Sequence, residues 1–377
     1  MAVKRKSNPS PSPPKPNRPL YPSKPSSDSN LWYIAFTLAT IAILFSQEIS
    51  DYIYANNESR ILKHRSAQRN PDITAWAVVP MKSRGGGYGV IAERDILPGE
   101  LIMKESPLIK VRLDHSSIQE AEKKIEDTVK SISGEDRIRL LSLSNAWENQ
   151  TYNGAKLGRY SGLLQTNGMN SGRGFFSIFP SISRLNHACM GAVNAVYNWR
   201  ENEKVQVVHV TKPIKAGEEI FISYFDSKLP RSDRRSYLRS NYGFECSCKI
   251  CSKDSESSKE SDLRITNINS LKASLSAWQS GAMGGAEAVD LIETALDLMR
   301  QEGMTYEFGQ LYADACHIAT AHSDFQNARK YATLALKHFE VELGNDSVEY
   351  NYALKMIKNP THSSVWRSRP IESVRSN

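Results

Sequence analysis

Cysteine is scarce in this chain, five in 377 residues, which is too few for a disulfide scaffold. Glycine and proline, 21 and 17 residues, make up about a tenth of it, and that excludes a collagen-like or wholly disordered protein. No sign of charge dominates, since 48 lysines and arginines face 41 aspartates and glutamates. The small basic excess belongs to the start of the chain, where residues 1–30 hold six basic residues against Asp28. The rest carries no basic stripe, so direct nucleic-acid binding is not expected. At about 150 residues per domain the length suggests two to three globular units.

Long hydrophobic runs are also rare, with one exception. After a disordered basic tail rich in proline and serine (residues 1–30) comes LWYIAFTLATIAILFS, residues 31–46, without a charge. Sixteen helical residues span roughly 24 Å, just short of a ~30 Å hydrocarbon core. Tyr52, Ile53 and Tyr54 extend the segment to 31–54, although Glu48 and Asp51 interrupt it. The first reading is a transmembrane or signal anchor, which makes the chain membrane-associated with the side undetermined. A cleaved signal, and hence secretion, is the second. A buried core helix is the third. Residues 55–74 read as a linker.

From residue 75 the pattern turns to short strands. Trp76–Val79, Tyr88–Ala92 and Leu101–Lys104 are separated by glycine, proline and charged turns. The run Gly85, Gly86, Gly87, Tyr88, Gly89 is no phosphate loop, because Val90, Ile91 and Ala92 continue as a strand and no helix N-terminus follows. It reads as a tight hairpin turn or as a place where backbone lies close to a ligand. Residues 114–160 interrupt the strands with a helical insertion, charged and helical in period over 114–149 and free of cysteine.

Four of the five cysteines draw together in the pattern. Cys189 follows Asn186 and His187 in SRLNHACMGAVN, and Cys246, Cys248 and Cys251 form C-x-C-x-x-C. Three thiolates within six residues suit one soft cation, and tetrahedral zinc asks for a fourth ligand, for which Cys189 is the candidate. A disulfide or free thiols are the alternative. Cys316 lies in an apolar helical stretch and reads as core.

In order and spacing, the glycine hairpin, the Asn-His-x-Cys loop, GEEIFISY and the cysteine-rich segment resemble the SET-domain lysine methyltransferases over about residues 75–252. The insertion and the helices that follow are most similar to the SET-and-MYND branch and its fungal-type relatives. The resemblance implies an α+β chain: a β-rich SET fold (β-clip, pseudoknot) over 75–228 and a post-SET zinc segment over 229–252. A C-terminal all-α, tetratricopeptide-like domain would follow over 262–357. It implies an S-adenosylmethionine-dependent enzyme acting on a lysine of a protein substrate. By this match Gly87, Tyr88, Gly89, Asn167, Asn186, His187 and Phe244 contact the cofactor, Tyr224 is catalytic and Tyr242 walls the lysine channel. Cys189, Cys246, Cys248 and Cys251 would bind a structural zinc. Two departures stand out. The loop reads NHACMGAVN rather than Asn-His-Ser-Cys-x-Pro-Asn, and the insertion lacks the cysteines and histidine of a MYND finger.

Residues 252–261, SKDSESSKES, read as a solvated linker. Beyond them, apolar residues recur at i, i+3, i+4 and i+7, and Ala328, Ala332 and Ala335 allow close helix packing. The repeats are weak, so a plain helical bundle competes with a tetratricopeptide-like array; either could wall the substrate cleft or hold a partner. Residues 358–377 read as a flexible tail. A catalytically silent, membrane-tethered interaction scaffold is the rival to an enzyme.

Overall fold

The computed structural model describes residues 75–81, 87–112 and 118–375. The segments 1–30, 31–54 and 55–74 lie outside the described residues. Among the described residues no helix is long and apolar enough to cross a membrane. For the described residues, that finding corrects the expectation of a membrane-associated chain.

The described residues up to Cys251 are built largely of short strands. β1 (Trp76–Pro80) and β2 (Tyr88–Ala92) form the glycine hairpin, in the register Trp76↔Ala92 to Pro80↔Tyr88. β3 (Leu101–Glu105) is an edge of a three-stranded antiparallel sheet with β10 (Ala195–Arg200) and β11 (Val205–Val210). β11 is buried along its whole length, as expected for VQVVHV covered on both faces. A second three-stranded sheet joins β4 (Ile109–Arg112), β8 (Phe175–Ile178) and β7 (Met169–Asn170), and β5 (Thr151–Tyr152) pairs with β6 (Ala155–Lys156). The shortest pair is β9 (Asn186–His187) with β12 (Phe221–Ile222), which run parallel.

The insertion supplies α1 (Ile118–Ser131), α2 (Gly134–Leu141) and α3 (Arg159–Asn167). Ser133 caps α2 by accepting from the Asp136 N–H at 3.0 Å. The start of α3 is capped from outside, by Glu122 of α1, which accepts from the N–H groups of Tyr160 and Ser161 at 3.3 and 2.9 Å. Ile125, Val129, Leu140, Leu163 and Leu164 close the space between these helices and the β4–β8 pair.

α4 (Arg231–Tyr242) ends at Gly243, whose φ of +72° gives the left-handed cap that releases the chain into the cysteine segment. The helical region follows: α5 (Ser255–Ser274), the short α6 (Ser276–Gln279), α7 (Gly285–Gln301), α8 (Phe308–Ala321), α9 (Phe325–Glu342) and α10 (Val348–Lys358). Ala328, Ala332 and Ala335 are buried along α9, and Cys316 is buried in α8.

Two expectations need correcting. Most of residues 252–261 is helix rather than linker. Asp254 caps α5 by accepting from the Ser257 N–H at 2.9 Å, and Ser261 is buried against Glu302. Residues 358–377 are not a loose tail as far as Arg375. Arg369 donates to the carbonyls of Trp278 and Gln279, Glu372 accepts from the N–H groups that open α7, and Val374 is fully buried.

Candidate active site

The hairpin, the β9–β12 pair, the end of α3 and the segment after α4 meet around one cavity of about 480 Å³, a size suited to a cofactor-sized ligand. Gly87, Tyr88, Asn167, Asn186, His187, Tyr224, Tyr242 and Phe244 all line it. Gly89 stands behind rather than on its wall. A Cβ there would fall 2.8 Å from Asn186 Nδ2 and 2.9 Å from Glu219 Oε1, so only glycine lets the hairpin lie against β9. Asn186 uses that closeness. Its amide donates to the Tyr88 carbonyl at 3.1 Å and to Glu219 at 2.8 Å, bolting hairpin to loop.

His187 is buried, and its Nδ1 accepts the Tyr224 N–H at 3.1 Å. Tyr224 donates its hydroxyl to the Leu185 carbonyl at 2.9 Å, and Tyr242 donates to the Tyr224 carbonyl at 3.2 Å. The rings of Tyr224 and Tyr242 stand 5.0 Å apart, with Phe244 edge-on to Tyr224 at 6.5 Å. Burial pushes the hydroxyls of Tyr242 and Tyr197 above the ordinary tyrosine range. This wall is therefore aromatic, neutral and poor in water.

Asn167 is placed differently from a freely offered amide. Its nitrogen donates to the carbonyls of Ser144 and Leu163 at 2.8 and 2.9 Å, so its oxygen is what it can show a ligand. Residue-type reasoning missed Arg184, which lines the cavity, donates to Ser142 and lies over the Tyr88 ring at 5.1 Å. It also missed Tyr197 on the wall and Glu219 behind Asn186. The pair Glu218–Glu219 in GEEIFISY was the only available signal for the latter.

Next to this wall, the sulfurs of Cys189, Cys246, Cys248 and Cys251 lie within 4.8 Å of one another, all buried. Cys189 Sγ is 3.4 Å from Cys251 Sγ and 4.0 Å from Cys246 Sγ. A zinc–sulfur bond of about 2.3 Å places tetrahedral sulfurs about 3.8 Å apart, so the four residues fit such an ion. The cluster packs with Val193, Leu238 and Ile250. Arg234 is fully buried nearby, and although burial disfavours its charge, Cys189 and Cys251 raise its pKa overall.

Residues 87–225 match the family model for the SET domain. This stretch is accordingly a SET domain, and the chain is similar to protein-lysine methyltransferases. It is similar to the histone-lysine N-methyltransferase set5 of Schizosaccharomyces pombe, 26% identical over 292 residues, which are 76% of this chain and 84% of that relative. It is also similar to the N-lysine methyltransferase SMYD2 of Gallus gallus, 38% identical over 93 residues, which span 25% of this chain and only 20% of that relative. The solved SET domain of LSMT bound to lysine and AdoHcy covers 77% of this chain, itself covered to 84%, at 12% identity. Its TM-score of 0.29 is too low to align the two sites.

Proposed function

We propose that this chain transfers methyl groups from S-adenosylmethionine to a lysine amine of a protein substrate. The observation that carries this reading is the convergence of Gly87–Tyr88, Asn186–His187, Tyr224, Tyr242 and Phe244 on one cavity.

S-adenosylmethionine, when bound, supplies an electrophilic methyl on a sulfonium. The protein's work is alignment, because an in-line displacement gains most from held geometry. In this reading the hairpin backbone, Asn186 and His187 hold the cofactor, Phe244 packs against it and Asn167 offers its oxygen. Tyr224, fixed through its N–H and its hydroxyl, orients the incoming amine. A lysine amine must first lose its proton, which costs between about 4 and 5 kcal/mol at neutral pH. The wall of Tyr197, Tyr224 and Tyr242 disfavours the ammonium by desolvation. Zinc on Cys189, Cys246, Cys248 and Cys251 would be structural, tying the segment that carries Phe244 to the Asn186–His187 loop.

The same reading assigns residues 75–228 to a SET domain of pseudoknot type, 229–252 to a post-SET segment and 262–357 to a tetratricopeptide-like domain. The parallel β9–β12 pairing supports the first, and the apolar core from Ile265 to Met356 supports the last. The catalytically silent scaffold finds no support at the cavity, where the candidate tyrosine and the Asn-His pair stand together.

Calorimetric titration of S-adenosylmethionine into the zinc-loaded chain tests the reading. We expect saturable binding that is lost in Asn186→Ala. In Tyr224→Phe, binding should persist within about twofold while turnover on a protein substrate falls by about 10²-fold or more. Absence of binding by the folded, zinc-loaded chain would remove the cofactor assignment. Unchanged turnover in Tyr224→Phe would remove the role of that tyrosine.

A further inference from the structure

The segment that carries Tyr224 is held along its length. Tyr224 is fixed by His187 and Tyr242. Phe225 stacks against His187 at 5.6 Å and Tyr237 at 4.4 Å. Ser227 accepts the Met190 N–H at 2.8 Å and meets the Ser223 hydroxyl at 3.3 Å. These partners come from the strand-rich region, and Tyr306 of the helical region also meets Ser223.

Lys228 makes a second link to the helical region. It is 6% exposed, and its ammonium reaches Glu307, just before α8, at 2.6 Å. Its carbonyl accepts from Asn269 of α5 at 2.7 Å, and Lys272 of α5 takes the other oxygen of Glu307 at 2.9 Å. Asp226 also pairs with Lys228, at 2.8 Å, but its side chain is 67% exposed, so water screens it. A buried ammonium stays charged only beside a well-placed partner, and Glu307, its side chain 31% exposed, is better shielded for that role than Asp226. Burial pushes the Glu307 carboxyl up, yet Lys272 and Lys228 outweigh it and hold its pKa at about 2.

Glu307 sits in a costly backbone. Its φ is +70° and ψ is 0°, the left-handed region that favours glycine. A glycine would start α8 without that strain. What it would not supply is the carboxylate.

We propose that Glu307 is a positioning residue for methyl transfer: acting through Lys228, it anchors residues 223–228 to the helical region and so sets where Tyr224 stands at the cavity. This rests on the reading of Tyr224 as the catalytic tyrosine.

The test uses the whole chain, zinc-loaded, and compares Glu307→Gln, Glu307→Gly, Lys228→Met and the double variant Glu307→Gln with Lys228→Met. Amide exchange over 223–228 is expected to rise about tenfold in both Glu307 variants, while residues 186–188 keep native protection. The S-adenosylmethionine Kd should stay within about twofold, and kcat should fall about tenfold with KM for the protein substrate little changed. The double variant should be no worse than the worse single one, as befits residues acting as one unit. Glu307→Gly is the decisive arm. If Glu307 merely builds the start of α8, the glycine variant, relieved of strain, keeps native exchange and native kcat; that result overturns the proposal. Native exchange over 223–228 in Glu307→Gln overturns it as well. If the native chain methylates no protein and exchange over 223–228 still rises in the variants, the anchoring stands and the methyltransferase reading is what has failed.

Discussion

Between residues 75 and 251 the apolar core is divided into three small clusters, whereas from Ile265 to Val374 a single cluster runs through the helices. The catalytic region compensates with specific polar bolts between distant segments: Asn186 to Tyr88 and Glu219, Glu122 to the start of α3, Glu105 to the N–H groups of Ser181 and Ile182. Its four cysteines, within 4.8 Å of one another, would add a further staple with a metal bound. The helical region relies on apolar packing, close enough on α9 that three alanines are completely covered. Cohesion by area tolerates local change, while cohesion by a few bolts places atoms accurately and fails when one bolt is drawn. Met190, beside Cys189, and Tyr306, just before α8, are side chains that cross from one regime into the other.

The largest expected effect separates the two regions outright. Chelation of bound metal, or Cys251→Ser, should abolish S-adenosylmethionine binding and the cooperative melting of the catalytic region, because metal binding and folding are linked in such sites. The far-UV helical signal of residues 255–358 should survive. Loss of both signals together would break the contrast.

A smaller effect should run the other way. Ala332→Leu overfills the face of α9 and should lower the stability of the helical transition by about 1–3 kcal/mol. Turnover well below that transition should remain within about twofold. Denaturant titration followed by helical signal and by activity checks both.

The smallest effect is a slope. Burial pushes the Glu342 carboxyl up to about 7 from its ordinary value of 4.5, although it accepts from the Glu307 and Gly309 N–H groups. Its folded pKa is raised, so the folded state binds the extra proton between about pH 4.5 and 7, and stability declines as pH rises through that window. In the catalytic region, burial first and Arg200 second lower His209 to about 4, so its contribution is lost as pH falls below 6.5. Glu342→Gln should remove a decline of at most about 1.4 kcal/mol per pH unit. An unchanged stability–pH profile in that variant would show that Glu342 is not the source.

Much of the site was legible because its chemistry needs particular residue types. The cysteine spacing, the Asn186–His187 pair and the Gly87–Gly89 hairpin each stand out in one dimension. Three strands were placed to within a residue of Trp76–Pro80, Tyr88–Ala92 and Leu101–Glu105. Arg184 and Glu219 were not legible, since each is defined by partners 42 and 33 residues away. Residues 252–261 misled because their serines look solvated; the Asp254 cap and the burial of Ser258 and Ser261 against the next elements exist only in three dimensions. The stretch after residue 358 misled for a related reason. Its hold on α6 and α7 comes through Arg369 and Glu372 respectively, charges that sequence alone assigns to water.

The parallel meeting of Asn186–His187 with Phe221–Ile222, and the 98-residue reach from Asn186 to Tyr88, also bear on how the chain comes together in time. Contacts that close such large loops form late, after their entropy has been met. Helices α7 to α10, whose partners lie next in sequence, should form first. The cavity is then the last part of the molecule to be assembled, after a helical region already in place, and a stalled folding reaction would leave a well-formed half with no ligand pocket.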